Sequence, residues 1–462
     1  MATRTLLPCT LVLAALVAAL AATVTGGGTL ADRGPLHGWY ALDAGLFVLA
    51  LLLLRRVPAR RVAPLVLAGS VAVAAVGLLA PPRTSDDAYR YVWDGRVQAA
   101  GISPYAHAPD DPALARLRDP GLFPATDGCT EWDERRTAAG DCTRINRPAV
   151  RTIYPPVAQV WFLAVHPFGG GVRGVQVGGA LLAVATTGAL LVVGRGSRRA
   201  ALWGWCPGIT VWAVNDAHVD TLGALLMTVG LGCVAGRRPG TGGVLLGAAV
   251  ATKLLPALAL PGALSGALSG ALARRPTRRD VAVLGAALGA FALAYLPHVA
   301  VSGPAVLGYL PGYLREEGYE QGHLDRFGLL RLAVPDRWAP WAAALVLAAV
   351  VWRVLRHGDP RRPWRGALLV TGTALLLVAP AYPWYGLLVV ALVALDGGWE
   401  WLAVPAAGQV LYLVGGGPAQ QAAYGAALAC VLGVPAVRGL LRARRCAAGE
   451  RASAGAREMT KA

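Results

Sequence analysis

Long apolar stretches, many of about 18 residues or more, alternate with short polar breaks along almost the whole chain. Each such stretch is long enough to cross the hydrocarbon core of a bilayer as a helix. The pattern predicts an all-α, polytopic transmembrane bundle of about 12–14 spans over residues 1–445. A polar tail, "CAAGERASAGAREMTKA", is predicted to be disordered over 446–462. The first run, "LLPCTLVLAALVAALAATVTG", is expected to be a span and not a cleaved signal peptide, because no convincing cleavage site stands out and many spans follow it. Two regions are harder to place. Residues 154–172 fit a re-entrant or interfacial helix, and 241–273 is interrupted by Pro and Gly. Within it, "GALSGALSGAL" is a small-residue patch suited to close helix packing.

The polar breaks are not alike. "RRVPARR", "RGSRR", "GRRPG", "ARRPTRR", "RVLRHGDPRRPWR" and "RGLLRARR" are basic, as cytoplasmic loops are under the positive-inside rule. With the N-terminus inside, residues 83–153 form a large first extracytoplasmic loop, and 301–337 form a second. "NDAHVD" (215–220), "AYPWYG" (381–386) and "GGGPAQQ" fall on the same outer side. The net charge of +17 is carried by those inner clusters, which points to anionic lipid headgroups and away from nucleic acid. The composition, 55% hydrophobic and 15% charged, excludes an ordinary soluble domain, which carries about 25% charge. Cys129 and Cys142 both lie in the first outer loop, where an oxidising compartment would let them pair. A bridge closing so short a loop contributes about 3 kcal/mol. No CxxC or His pair lies near them to suggest zinc.

The outer face concentrates the chemistry. Asp86 and Asp87 open "DDAYRYVWDGR" just beyond a span. Mutual repulsion and a low local dielectric raise carboxylate pKa values, which suits a general base. Arg83 and Arg90 stand close enough in sequence to keep one of them ionised. Tyr91, Trp93, Asp94 and Arg96 continue the run, with 87, 90, 91 and 94 on one helical face. The bland alternative is a solvated loop start. Asn215, Asp216, His218 and Asp220 mark the next outer break. There Asp216 fits a helix N-cap, while His218 and Asp220 enter an apolar span where polar groups are costly. Only Lys253 and the tail's Lys461 are lysines among 43 basic residues. A mid-membrane lysine costs roughly 2.5–3.5 kcal/mol, so Lys253 needs snorkelling or an anionic partner, a lipid phosphate being an attractive one. Tyr154, Tyr382, Trp384 and Tyr385 fit either an interfacial aromatic belt or a sugar-stacking surface. Arg315, His323 and Arg326 in the second outer loop fit phosphate or acceptor binding, or plain solvation.

Taken together, "DDAYRYVWDGRVQAAGISPYAHAP", "IYPPVAQ", "NDAHVDTLGALL", "ATKLLPALALP" and "AYPWYG", spread over residues 86–386, resemble the GT-C superfamily of polytopic glycosyltransferases. The nearest likeness is to actinobacterial polyprenyl-phosphate-mannose-dependent α-mannosyltransferases, and the bias to Arg, Ala and Gly suits a GC-rich source. The resemblance implies a bacterial plasma-membrane enzyme with its active site outside. It also implies a donor sugar on a polyprenyl phosphate, and a catalytic base in the first outer loop at Asp86 or Asp87. By position, Lys253 and Arg90 are expected to stabilise the departing phosphate, with Arg315 or Arg326 behind them. The expected reaction is a single inverting displacement that moves mannose to a cell-envelope glycolipid or glycan, with no cofactor and no metal. Donors carrying glucose, galactose or arabinofuranose share this architecture. The competing classes are a lipid-linked sugar flippase or transporter, for which broken helices and an intramembrane lysine also fit, and a structural membrane partner without catalysis.

Overall fold

The computed structural model describes residues 2–125, 128–269, 277–310, 312–313 and 326–459. Arg315 and His323 lie outside the described residues. The described chain is mostly helical, its strands confined to Arg135–Arg136 and Cys142–Thr143, paired antiparallel in the long loop after the fourth helix. Seven helices are long and apolar enough to cross a membrane among the described residues, or eight if one bent pair counts as a single span. Four more apolar helices are shorter: Pro156–Val165, Pro239–Val250, Pro363–Val378 and Pro383–Asp396. None of these reaches the ~20 residues needed to cross a bilayer alone. The apolar runs that suggested 12–14 spans are broken because Pro and non-helical backbone interrupt them.

The helices are α1 (Ala2–Gly26), α2 (Gly34–Leu54), α3 (Ala59–Val76), α4 (Asp87–Ala99), α5 (Pro156–Val165), α6 (Val172–Val193), α7 (Ala201–Gly204), α8 (Asp220–Ala235), α9 (Pro239–Val250), α10 (Leu260–Ala263), α11 (Arg278–Ser302), α12 (Ala339–His357), α13 (Pro363–Val378), α14 (Leu387–Asp396), α15 (Ala403–Val414) and α16 (Pro418–Met459). Helix α14 sits at the centre. Its sequence "LLVVALVAL" is buried on every side from Leu387 to Leu395, as a helix that is apolar all round must be. The long lipid-type helices stand at the edge, exposing Leu288, Leu293, Leu296, Trp341 and Leu345. The tail departs from its predicted disorder: α16 runs unbroken from the apolar segment to Met459. Its Ala, Arg, Glu and Met residues are good helix formers, and they extend a helix already nucleated.

Close packing is provided where the small-residue patch was noted. A Cβ on Gly262 would run into the backbone of α13 at Pro363 and Ala367. Gly262→Val is therefore expected to push α10 off α13 and lower the thermal midpoint of the solubilised protein, whereas an exposed change such as Gly289→Ala on α11 is expected to leave it near that of the parent.

The two ends of the bundle differ. Arg198 donates to the carbonyls of Leu54 and Val57, and Arg199 to those of Leu395 and Asp396. Arg362 pairs with Asp396 at 2.9 Å, and Arg438 with Glu400 at 3.2 Å. The basic breaks thus meet at one end. From there α3 rises roughly 27 Å, at 1.5 Å per residue, and leads directly into Arg83, Thr84 and the Asp86–Asp87 doublet. The loop segments rich in Asp, Tyr and Trp gather at that opposite end.

Candidate functional site

A local irregularity builds the floor of this end. Residues Ile209–Asn215 form a π-helical turn, followed after a break by α8 at a bend of 108°. π-Helical turns are rare and often mark functional sites. Ala217 in the break takes a positive φ of 54°. Asp216 does not cap α8 as expected. Its carboxylate accepts from the backbone N–H of Arg83 (3.3 Å) and of Thr84 (3.1 Å), and from the Thr84 hydroxyl (2.5 Å). Asn215 donates to the carbonyls of Gly77, Ala80 and Pro81. Both side chains are buried ties that fix the segment between α3 and α4; neither lines the cavity.

That cavity, of about 610 Å³, is walled by residues from several separate stretches of chain, Leu30 and Arg135 among them. Ser85, Asp86, Asp87 and Arg90 come from the start of α4, and Asn146 to Pro155 from the end of the long loop. Lys253, Leu254 and Leu255 come from the break after α9. Tyr309, Leu310 and Tyr313 follow α11, with Arg326 beyond them. Tyr382, Trp384 and Tyr385 precede α14, and Tyr412 lies on α15. The lining joins carboxylates, cations, phenols and apolar side chains in one space.

The doublet is held from the long loop. Arg135 Nη2 donates to Asp86 Oδ2 at 2.8 Å. Asn146 Nδ2 donates to Asp86 Oδ1 at 3.0 Å and to Asp87 Oδ1 at 2.6 Å. Neither Arg83 nor Arg90 plays the part expected of it. Arg83 donates to the carbonyls of Gly28 and Thr25. Arg90 turns to Asp94 at 3.0 Å, its i+4 neighbour, and to the Val150 carbonyl. Burial pushes Asp86 above the usual carboxylate range and the adjacent Asp87 charge adds to this, while Asn146 and Arg135 pull the other way.

The shared helical face expected for 87, 90, 91 and 94 divides. Asp94 accepts from Thr152 (2.6 Å) and Gln159 (2.9 Å), and Tyr91 stacks on Phe162 at 4.5 Å, so both point into the loop's own core. Trp93 packs on Phe123, and Arg96 is bound to Asp119 and the Leu117 carbonyl. These residues support the loop and do not line the cavity.

Lys253 has its anionic partner within the protein. Its Nζ lies 2.6 Å from Asp220 Oδ2, and 4.6 Å above the Tyr385 ring. The Tyr385 hydroxyl in turn meets that of Tyr313 at 2.8 Å. His218 stacks on Trp384 with centroids 3.8 Å apart, and its Nδ1 stands 3.5 Å from Asp87 Oδ2. Tyr382 stacks on Trp384 at 5.0 Å and lies in the field of both Arg147 and Arg326. Of the residues expected at the site, Asp86, Asp87, Arg90, Tyr154, Lys253, Arg326, Tyr382, Trp384 and Tyr385 line the cavity. His218 and Asp220 stand immediately behind it. Arg135, Asn146, Arg147, Arg151, Tyr309, Tyr313 and Tyr412 were missed. Only the density of Arg and Tyr in these loops signalled them.

Cys129 and Cys142 form a disulfide. Among the described residues, no three His, Cys, Asp or Glu side chains converge as a group able to hold a metal ion. Comparison with family models, with curated proteins and with solved structures finds no match to this chain.

Proposed function

We propose that this chain is a membrane glycosyltransferase of GT-C type. In this reading it moves a sugar, mannose by family resemblance, from a polyprenyl-phosphate donor to a cell-envelope glycolipid or glycan. The observation that carries the reading is the cavity itself, where an adjacent carboxylate pair faces arginines, a wall of Tyr and Trp, and the apolar Leu254, Leu255 and Leu310. A lipid-linked sugar phosphate presents the matching chemistry: a sugar face to stack, an anion, and an isoprenoid chain. The basic loops at the opposite end support an extracytoplasmic cavity.

The reaction is a single displacement. The acceptor hydroxyl gives its proton to a carboxylate of the doublet and its oxygen bonds to the anomeric carbon. The bond from that carbon to the phosphate oxygen breaks, and polyprenyl phosphate leaves with the electron pair. Configuration inverts, so a β-linked donor yields an α-glycoside. The leaving anion needs preorganised positive charge. In our reading Arg147 and Arg326, which line the cavity and whose charge reaches Tyr382, take this role; Lys253 and Arg90 face Asp220 and Asp94.

The test is transfer of labelled mannose from polyprenyl-phosphate mannose in membranes carrying the chain, with and without EDTA and across pH. We expect transfer that survives EDTA. With Asp86 above the usual carboxylate range and needed in its ionised form, activity is expected to fall on acidification at a pH above that of an ordinary aspartate, near 3.9. No transfer from this or any other polyprenyl-phosphate sugar by folded protein would sink the reading. The bent 209–235 segment favours one second reading, a lipid-linked sugar flippase, for which the same membranes would translocate donor without consuming it.

A further inference from the structure

The hairpin that carries Arg135 is too small to stand alone. Each strand has two residues, Arg135–Arg136 and Cys142–Thr143, and an isolated hairpin is marginal in water even when longer. Three ties hold it. The Cys129–Cys142 disulfide closes its base. The Thr143 hydroxyl donates to the Leu122 carbonyl at 2.8 Å. The Tyr89 hydroxyl of α4 donates to Asp133 at 2.7 Å, and Arg144 pairs with the same carboxylate at 3.4 Å. From this frame two side chains reach the doublet: Arg135 from the first strand, and Asn146 from just beyond the second. Asn146 matters most for geometry. One amide group bridges an oxygen of each carboxylate, which fixes the two relative to each other.

We infer that Arg135 and Asn146 are positioning residues, and that the Cys129–Cys142 hairpin is a clamp that orients the Asp86–Asp87 pair and keeps its proton acceptor ionised. Two carboxylates side by side in a partly buried wall repel and would otherwise share a proton. Cationic and amide donors supplied together hold both as acceptors. The groups facing the pair from other elements do not replace this. Tyr89 and Tyr412 stand near Asp86. His218 meets Asp87 at 3.5 Å, and Asp220 adds negative charge. Arg135 is the one arginine or lysine within salt-bridge distance of the doublet among the described residues.

This inference rests on the proposed transferase reading for its purpose, but its test needs no turnover. A hydrophobic carbodiimide reacts with protonated carboxyl groups, and mass spectrometry of the 83–96 peptide reads the labelled fraction at each pH. In solubilised full-length protein, Arg135→Gln and Asn146→Ala are each expected to shift labelling of the doublet to higher pH, and Arg135→Lys to restore much of the parent profile. Reducing the disulfide in the folded parent is expected to shift it the same way, which covers the case where a variant fails to fold. Parent-like profiles in folded Arg135→Gln and Asn146→Ala, or in the reduced parent, would overturn the clamp. A shifted profile in a protein that transfers no sugar would uphold the clamp and remove the transferase reading.

Discussion

Asp86→Asn is expected to abolish sugar transfer almost completely while leaving the protein folded. General-base catalysis by a positioned side chain contributes about 10²–10⁴-fold, and an amide of the same shape cannot accept the acceptor's proton. Asp86 is assigned the base because burial and the adjacent charge raise its proton affinity, which moves it toward working pH where a base is most effective. Arg135 and Asn146 counter that rise, so the carboxylate stays available. Asp87→Asn is expected to do less. It removes the like charge beside Asp86, so the acid limb of the activity profile is expected to move to lower pH, with a smaller drop at the optimum. The measurement is initial transfer rate against pH for parent and both variants at matched amounts of folded protein. A dead Asp87→Asn beside an active Asp86→Asn would exchange the two roles. Two active variants would remove the doublet from catalysis.

The legible part of this molecule is what interrupts a period. Asp86 and Asp87, Lys253, and the Tyr382–Trp384–Tyr385 group all stand out because polar or aromatic side chains break apolar runs, and all of them line one cavity. The direction of a side chain was less legible. Asp94 sits at a position that a helical wheel places beside Arg90, and the two do pair. Thr152 and Gln159 then draw Asp94 into the loop's own packing, and no local pattern announces such long-range partners. Arg135, Asn146, Tyr313 and Tyr412 were hidden for the same reason. They reach the site by chain closure across a disulfide hairpin or between distant helices. The predicted 12–14 spans exceed the seven or eight helices long and apolar enough to cross a membrane among the described residues, because hydropathy averages over a window. It does not register that Ile209–Asn215 winds as a π-helix or that the chain breaks at Thr252 to Leu254.

Breaking the Lys253–Asp220 pair is expected to destabilise the protein more than any other single change at the site. Asp220 is buried and Lys253 partly buried, with a 2.6 Å contact between them. Removing one partner strands the other charge in a poorly solvated position, which costs about 3–5 kcal/mol. Asp220→Leu and Lys253→Met are therefore each expected to lower the thermal midpoint and the yield of folded protein. Together they remove both charges, and replacement of a buried pair by apolar residues of similar volume is often neutral or stabilising, so the double variant is expected to regain most of the loss. That recovery is the discriminating result, since a lysine whose partner was a lipid phosphate would gain nothing from the second substitution. The double variant also separates fold from chemistry. If it folds and still transfers sugar, the pair serves only to join the start of α8 to the break after α9. If it folds and transfers nothing, the ammonium held over the Tyr385 ring acts on the substrate as well, and Lys253 returns beside Arg147 and Arg326 among the groups that meet the leaving phosphate.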